Sequence, residues 1–369
     1  MTRQIIKHFK KLDWILIMSA FLLVGIGLLS LYSSSLREND FFNFHKQIIF
    51  FGIGVFLMFL FSFFDYRMIK NNSYLMLLAY FLGCLALLGL FFFAPEIRGS
   101  RGWYKLGPLS VDPIEFMKII LIVLLAKYFS MRHIEMYSLK HILVSGCYLA
   151  LPTFLIFFQP DLGSILILIS LWVGILIISG IKLKHFLILI LCGILIFALS
   201  WSFLLKDYQK SRIVSFIQPQ LEPLGIGWNQ NQSKIAIGNG GLFGQGIGKG
   251  SQTQFGFLPE PQTDFIFAAI AEEMGFVGIF CLFFLFLILV WRIFRTALFS
   301  QTNFSRLLAS GVGIVLISQI FINAGMNLGL LPIVGISLPF ISYGGNNLVI
   351  TFLALGILQN IHLQDKNLT

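Results

Sequence analysis

Charge is scarce in this 369-residue chain: Asp, Glu, Lys and Arg together make up 11% of it, against 57% hydrophobic residues. So little charge excludes an ordinary soluble enzyme and places most of the chain in lipid. Cysteine is sparse too. Cys84, Cys147, Cys192 and Cys281 fall inside apolar stretches with no paired spacing, which excludes a disulfide framework or thiolate metal site and leaves packing as their expected role. No solenoid repeat is visible, nor a matched pair of broken helices such as transporters carry. A Walker loop is missing as well, because Phe243 and Gly250 stand where that motif needs glycine and Ser or Thr. The net charge of +10 is scattered rather than gathered on a basic soluble domain. Anionic lipid is therefore the expected partner, and nucleic acid is not.

What is present is a series of apolar runs. Stretches able to cross about 30 Å of hydrocarbon lie at roughly 14–32, 46–64, 74–94, 114–130, 140–158, 162–181, 185–205, 264–291, 306–330 and 344–361. The expectation is a single all-α, polytopic membrane domain over residues 1–369, with about ten transmembrane helices and its first span a retained signal anchor. Lys and Arg in short loops mark the cytoplasmic side. Arg3, Lys7, Lys10 and Lys11, then Arg67 and Lys70, then Lys182 and Lys184, then Arg292, Arg295 and Arg306 put both termini inside. Three polar segments then share the extracytoplasmic face: 95–113, the large loop 206–263 between the seventh and eighth spans, and the rim 331–347.

The large loop closes with LPEPQTDFIFAAIAEE, which sets Asp264 at the mouth of a membrane helix. An ionisable group there is functional by default, although a first-turn acid can also be held by the helix dipole alone. Thr263 is the expected cap of that helix. Of the six histidines only His45 belongs to the outer face, so base chemistry there falls to a carboxylate by elimination. Glu272 and Glu273 sit two turns or more deeper, on other faces, and read as ties within the bundle.

The first loop offers Arg98, Arg101, Trp103 and Lys105, a set that can grip an anion and stack on a sugar, or equally form a membrane-interface belt. At its end Asp112 caps a helix opened by Pro113, with Glu115 completing an acidic capping box. Lys118 lies one turn below Glu115 and can neutralise it. Asp161, after Pro160, caps the sixth span or faces the cavity.

The ordered motifs RGSRGWYKLG, VDPIEFMK, QPDLGS, QSKIAIGNGGLFGQG, LPEPQTDFIFAAIAEEMGFVG and NAGMNLGLLPIVGISLPFISYGG resemble the SEDS family of cell-wall glycosyltransferases along nearly the whole chain. NAGMNLGLLP, the IAEE ending and the short termini are closer to its elongation branch, RodA, than to its division branch, FtsW. The resemblance implies polymerisation of lipid II into β-1,4-linked glycan at the outer face of the bacterial inner membrane, with undecaprenyl diphosphate released. It places the catalytic aspartate on Asp264, the loop tryptophan on Trp103, the helix-start pair on Glu115 and Lys118, and the arginine motif on Arg98 and Arg101. Charge on the leaving diphosphate would be met from Arg98, Arg101, Lys105, Lys118, Lys210 or Arg212, with a divalent cation, Mg or Mn, as an expected helper. A class B penicillin-binding protein transpeptidase and elongation-complex membrane proteins are the implied partners. Three positions depart from the family pattern: Asp112-Pro113-Ile114-Glu115 for Gln-Pro-Ser-Glu, Gln262 for a histidine, and Asn346 for a serine. The rival readings are a lipid II flippase and a non-catalytic scaffold for a transpeptidase.

Overall fold

The computed structural model describes residues 2–67, 71–95, 102–107, 109–131, 139–218 and 225–366. In hydrocarbon the backbone must satisfy its own N–H and C=O groups, which apolar runs do by coiling. After α1 (Thr2–Lys11) come α2 (Trp14–Glu38), α3 (Phe42–Phe63) and α4 (Ser73–Phe93), then a short antiparallel pair, β1 (Tyr104–Leu106) and β2 (Leu109–Val111). The chain continues through α5 (Pro113–Ser130), α6 (Leu139–Phe158), α7 (Leu162–Ile178) and α8 (Leu183–Phe203). Three more polar helices follow, α9 (Asp207–Ile217), α10 (Ile226–Gly240) and α11 (Ser251–Gln254). Then α12 (Ile266–Phe299), α13 (Asn303–Leu328) and α14 (Gly345–Lys366) complete the bundle.

Each of the ten apolar stretches thus lies on a helix, and eight of these helices are long and apolar enough to cross a membrane. The other two are α7, at 17 residues, and α5, which carries Glu115, Lys118 and Lys127. The chain is a multi-pass membrane protein. Two boundaries differ from expectation. The loop near 33–46 is mostly helix, because α2 runs on to Glu38 and stops only where Asn39 turns left-handed at φ 49°. Three of the four cysteines do not pack: Cys84 is buried, while Cys147, Cys192 and Cys281 face outward, as small apolar residues can where the solvent is lipid.

At the centre are α13 and α14, with α3 laid along α14, α2 and α10 along α12, and α5 and α7 along α13. Small residues let these backbones close up. A Cβ at Gly356 would stand 2.5 Å from the carbonyl of Met58. By contrast α8 buries no residue. Away from the polar loops, Arg292 pairs with Asp13, Nη2 to Oδ2 at 2.6 Å, and Gln359 bonds the backbone of Asp13 on both sides. That cluster pins α2, α12 and α14 together.

One break interrupts α12, at Gly275 (φ 65°, ψ −165°). Such a break strips partners from the backbone on either side. The segment after α10 supplies them: Phe276 and Val277 donate to the carbonyls of Gly241 and Leu242, while Gln245 and Gly246 donate to those of Glu272 and Glu273. The large loop is therefore stitched into a helix rather than lying loose on the surface.

Candidate active site

A cavity of about 380 Å³ opens where α3, β1, β2, α5, α7, the start of α12 and the segment 331–347 meet. Four carboxylates line it, those of Asp112, Glu115, Asp161 and Asp264. Lys46, Lys105 and Lys118 line it too, with Trp103 at its edge. Asp264 reaches it from the turn that precedes α12, where the N–H groups of Thr263 and Phe265 both bond the carbonyl of Glu260 before the helix starts at Ile266. Gly335 passes so close that a Cβ there would sit 3.6 Å from Asp264 Oδ2, with φ at +76°.

On the opposite wall the start of α5 carries the charges. Lys118 Nζ lies 2.7 Å from Glu115 Oε2, both side chains nearly buried, and Asn347 Nδ2 donates to Glu115 Oε1. Asp112 caps α5 by accepting from the N–H of Ile114 at 2.9 Å. The expected capping box does not form, because Lys118 and Asn347 hold Glu115. Burial raises the Asp112 carboxyl to about 8, with the negative neighbours Glu115 and Asp161 adding to the rise. Asp161 does both things proposed for it: it caps α7 through Ser164 and lines the cavity.

The first loop is held down by its strand. Tyr104 donates to the carbonyl of Ala86 at 2.6 Å, and Asn346 Nδ2 bonds the carbonyl of Ser110 at 2.7 Å. Asn346 thus fastens the 331–347 rim to β2. Gln262, standing where a histidine was expected, accepts from Asn43 Nδ2 at 2.8 Å and ties the approach to Asp264 onto α3.

Several sequence expectations change here. Thr263 does not cap α12, whose N-cap is Phe265 with no side-chain bond; its carbonyl is held by Ser342 instead. Lys210 and Arg212 lie on α9 and do not line the cavity. Arg98 and Arg101 lie outside the described residues. Glu272 and Glu273 are ties, but to the loop as much as to the bundle. Glu272 takes the N–H groups of Gln252 and Thr253 at the start of α11, and Glu273 bonds Ser33 of α2 and the N–H of Gly248. Lys46 counts in the sequence only as a charge of the short outer loop near 33–46 and was not assigned to the site, since it opens an apolar run and reads as an end-of-helix charge. Among the described residues no three His, Cys, Asp or Glu side chains could hold a metal ion.

A multi-pass helical bundle with a polar cavity that brings a helix-mouth aspartate together with lysines defines a membrane protein with an enzyme-like site. Comparison narrows the class: residues 12–367 match the family described as cell cycle protein that groups FtsW, RodA and SpoVE, and the chain belongs to that family. It is 37% identical to stage V sporulation protein E of Bacillus subtilis over 361 residues, covering 95% of this chain and 96% of that protein. It is 38% identical to peptidoglycan glycosyltransferase MrdB of Escherichia coli over 272 residues, or 74% of this chain and 73% of that one. The fold superposes with a TM-score of 0.83, at 29% identity, on a chain of a peptidoglycan synthase complex that coordinates polymerization and crosslinking. That match covers 96% of this chain and 98% of that one.

Proposed function

We propose that this protein is a peptidoglycan glycosyltransferase that polymerises lipid II into β-1,4-linked glycan for cell elongation, with Asp264 as general base. The observation that carries the reading is Asp264 at the wall of a cavity that also presents Lys46, Lys105 and Lys118. The 4-hydroxyl of the acceptor sugar gives its proton to the Asp264 carboxylate as its oxygen attacks the donor's anomeric carbon. The bond from that carbon to the diphosphate breaks, and undecaprenyl diphosphate leaves with the electron pair. An α-linked donor gives a β-linked product in one displacement, so one base suffices and no covalent enzyme intermediate is needed. Positive charge must meet the leaving diphosphate. In this reading Lys46 and Lys105, which line the cavity, take that role, since Lys118 is engaged by Glu115. Trp103, 37% exposed at the cavity edge, offers a face for a sugar ring.

In this reading the cavity and the segments 95–113, 206–263 and 331–347 face the outside of the inner membrane, with both termini cytoplasmic. The partner is a class B penicillin-binding protein transpeptidase, in keeping with the synthase complex whose chain this fold matches. The test is to supply the purified complex with lipid II and digest the product with a β-1,4-specific muramidase. Digestible strands are expected. Absence of strands, together with lipid II translocation in vesicles, would replace the reading with a flippase; absence of both, from an intact complex, would leave a scaffold.

A further inference from the structure

Where an α-helix begins, the carbonyl of one residue normally accepts the N–H four residues on. At the mouth of α12 the first such bond runs from the N–H of Ala269 to the carbonyl of Phe265, which leaves the N–H of Ala268 without an acceptor inside the helix. Ala268 donates its N–H to Asn327 Oδ1 at 3.2 Å, and Asn327 Nδ2 donates to the carbonyl of Asp264 at 2.9 Å. The side-chain amide of Asn327 thereby caps the first turn from another helix, its oxygen on the N–H of Ala268 and its nitrogen on the carbonyl of Asp264, just ahead of the N-cap. Asn323 Nδ2 adds a second donor to the same carbonyl at 3.1 Å and reaches the carbonyl of Ile336 at 2.7 Å.

Both asparagines are fully buried, so every bond of these amides counts in a medium with no competing water. The grip extends backward along the chain. Ser342 Oγ donates to the carbonyl of Thr263 at 2.7 Å, and the N–H of Tyr343 to that of Gln262 at 2.8 Å. Three consecutive carbonyls are therefore held from α13 and the 331–347 segment. The position of Asp264 is set from outside its own helix. Ser233 of α10 in turn donates to the carbonyl of Asn327 at 2.8 Å.

We propose that Asn323 and Asn327 are positioning residues for Asp264, fixing through its backbone where its carboxylate meets the acceptor hydroxyl. The inference rests on the base role given to Asp264 above. A misplacement of about 1 Å in a reacting group can cost on the order of 10²-fold in rate. Replacing either asparagine should therefore lower kcat while leaving substrate binding, which depends on the cavity walls, unchanged.

The experiment measures kcat and KM for lipid II polymerisation, per folded molecule of the partner-bound protein, for wild type, Asn327→Leu, Asn323→Ala and Asn360→Leu. Asn360 is the control: a buried asparagine whose Nδ2 bonds the carbonyl of Ser62 at 2.8 Å, far from the cavity. The expected result is a kcat lower by about 10²-fold for Asn327→Leu and about tenfold for Asn323→Ala, with KM within about twofold of wild type. Asn360→Leu should lose thermal stability but keep wild-type kcat. Wild-type kcat in both Asn323 and Asn327 variants, or a loss confined to KM, overturns the proposal. If Asn327→Leu does not fold, Asn323→Ala alone decides, and wild-type kcat there overturns it. An inactive wild type would instead overturn the glycosyltransferase reading, so the two failures are told apart.

Discussion

Lys105 and Lys118 line the same cavity but differ in what they stand to lose. Lys118 is buried against Glu115, and removing one partner of a buried pair costs about 3–5 kcal/mol. Lys118→Met should therefore lower the denaturation midpoint in detergent, whereas Lys105→Met, on an exposed strand, should leave stability unchanged and raise KM for lipid II. Equal midpoints for the two variants would remove the argument. Asp112 adds a pH dependence. Its carboxyl titrates near 8 in the folded protein, against 3.8 for the free group. The folded state thus holds a proton that the unfolded chain has released, and stability falls as pH rises between those values. Asp112→Asn should flatten that fall in a thermal-unfolding series from pH 5 to 9; an unchanged slope would contradict it. At this scale Asp264, Lys105, Glu115 and Lys118 stood out in the sequence because each is a charge in an apolar chain, and Trp103 because it sits in a basic polar loop whose motif carries the family resemblance. Lys46 was hidden at the edge of a span. Lys210 and Arg212 were charges in a polar loop, and only three-dimensional packing shows that α9 stands aside from the cavity.

Among the elements, α12 carries the most information and hid the most. Its hydrophobic run is continuous, so the sequence shows one long span beginning near Asp264 but gives no sign of the break at Gly275. The reason is physical: the partners of the broken turn come from residues 241–246, and no local pattern reveals a pairing across the large loop. Gly244 lies at φ +80°, and a Cβ there would collide with the carbonyl of Glu273. Gly244→Val should therefore unstitch this segment, at a cost of at least about 1–3 kcal/mol for the backbone conformation alone. Limited proteolysis should then cut within 241–258 while the helical bundle keeps its cooperative melt. A wild-type cleavage pattern would show that the stitch does not hold the loop.

For the whole molecule, the apolar composition and the ten runs foretold a helical membrane bundle, because lipid leaves the backbone few alternatives. They did not show which helices form the centre. That depends on close approaches such as Gly356 on Met58 and on polar ties between distant segments. The buried pair of Arg292 and Asp13 is one such tie. It predicts that Arg292→Met loses about 3–5 kcal/mol of stability with KM for lipid II unchanged, since nothing in that cluster lines the cavity. A shift in KM alone would tie the cluster to the site. The account as a whole turns on one carboxylate, Asp264, placed by the bundle at the cavity wall. Its most direct test is the rate of glycan-strand formation by purified, partner-bound Asp264→Asn beside wild type, read on a gel from labelled lipid II. The account predicts a loss of about 10²–10⁴-fold in a protein that still inserts, folds and binds its partner; strands made at the wild-type rate would contradict it.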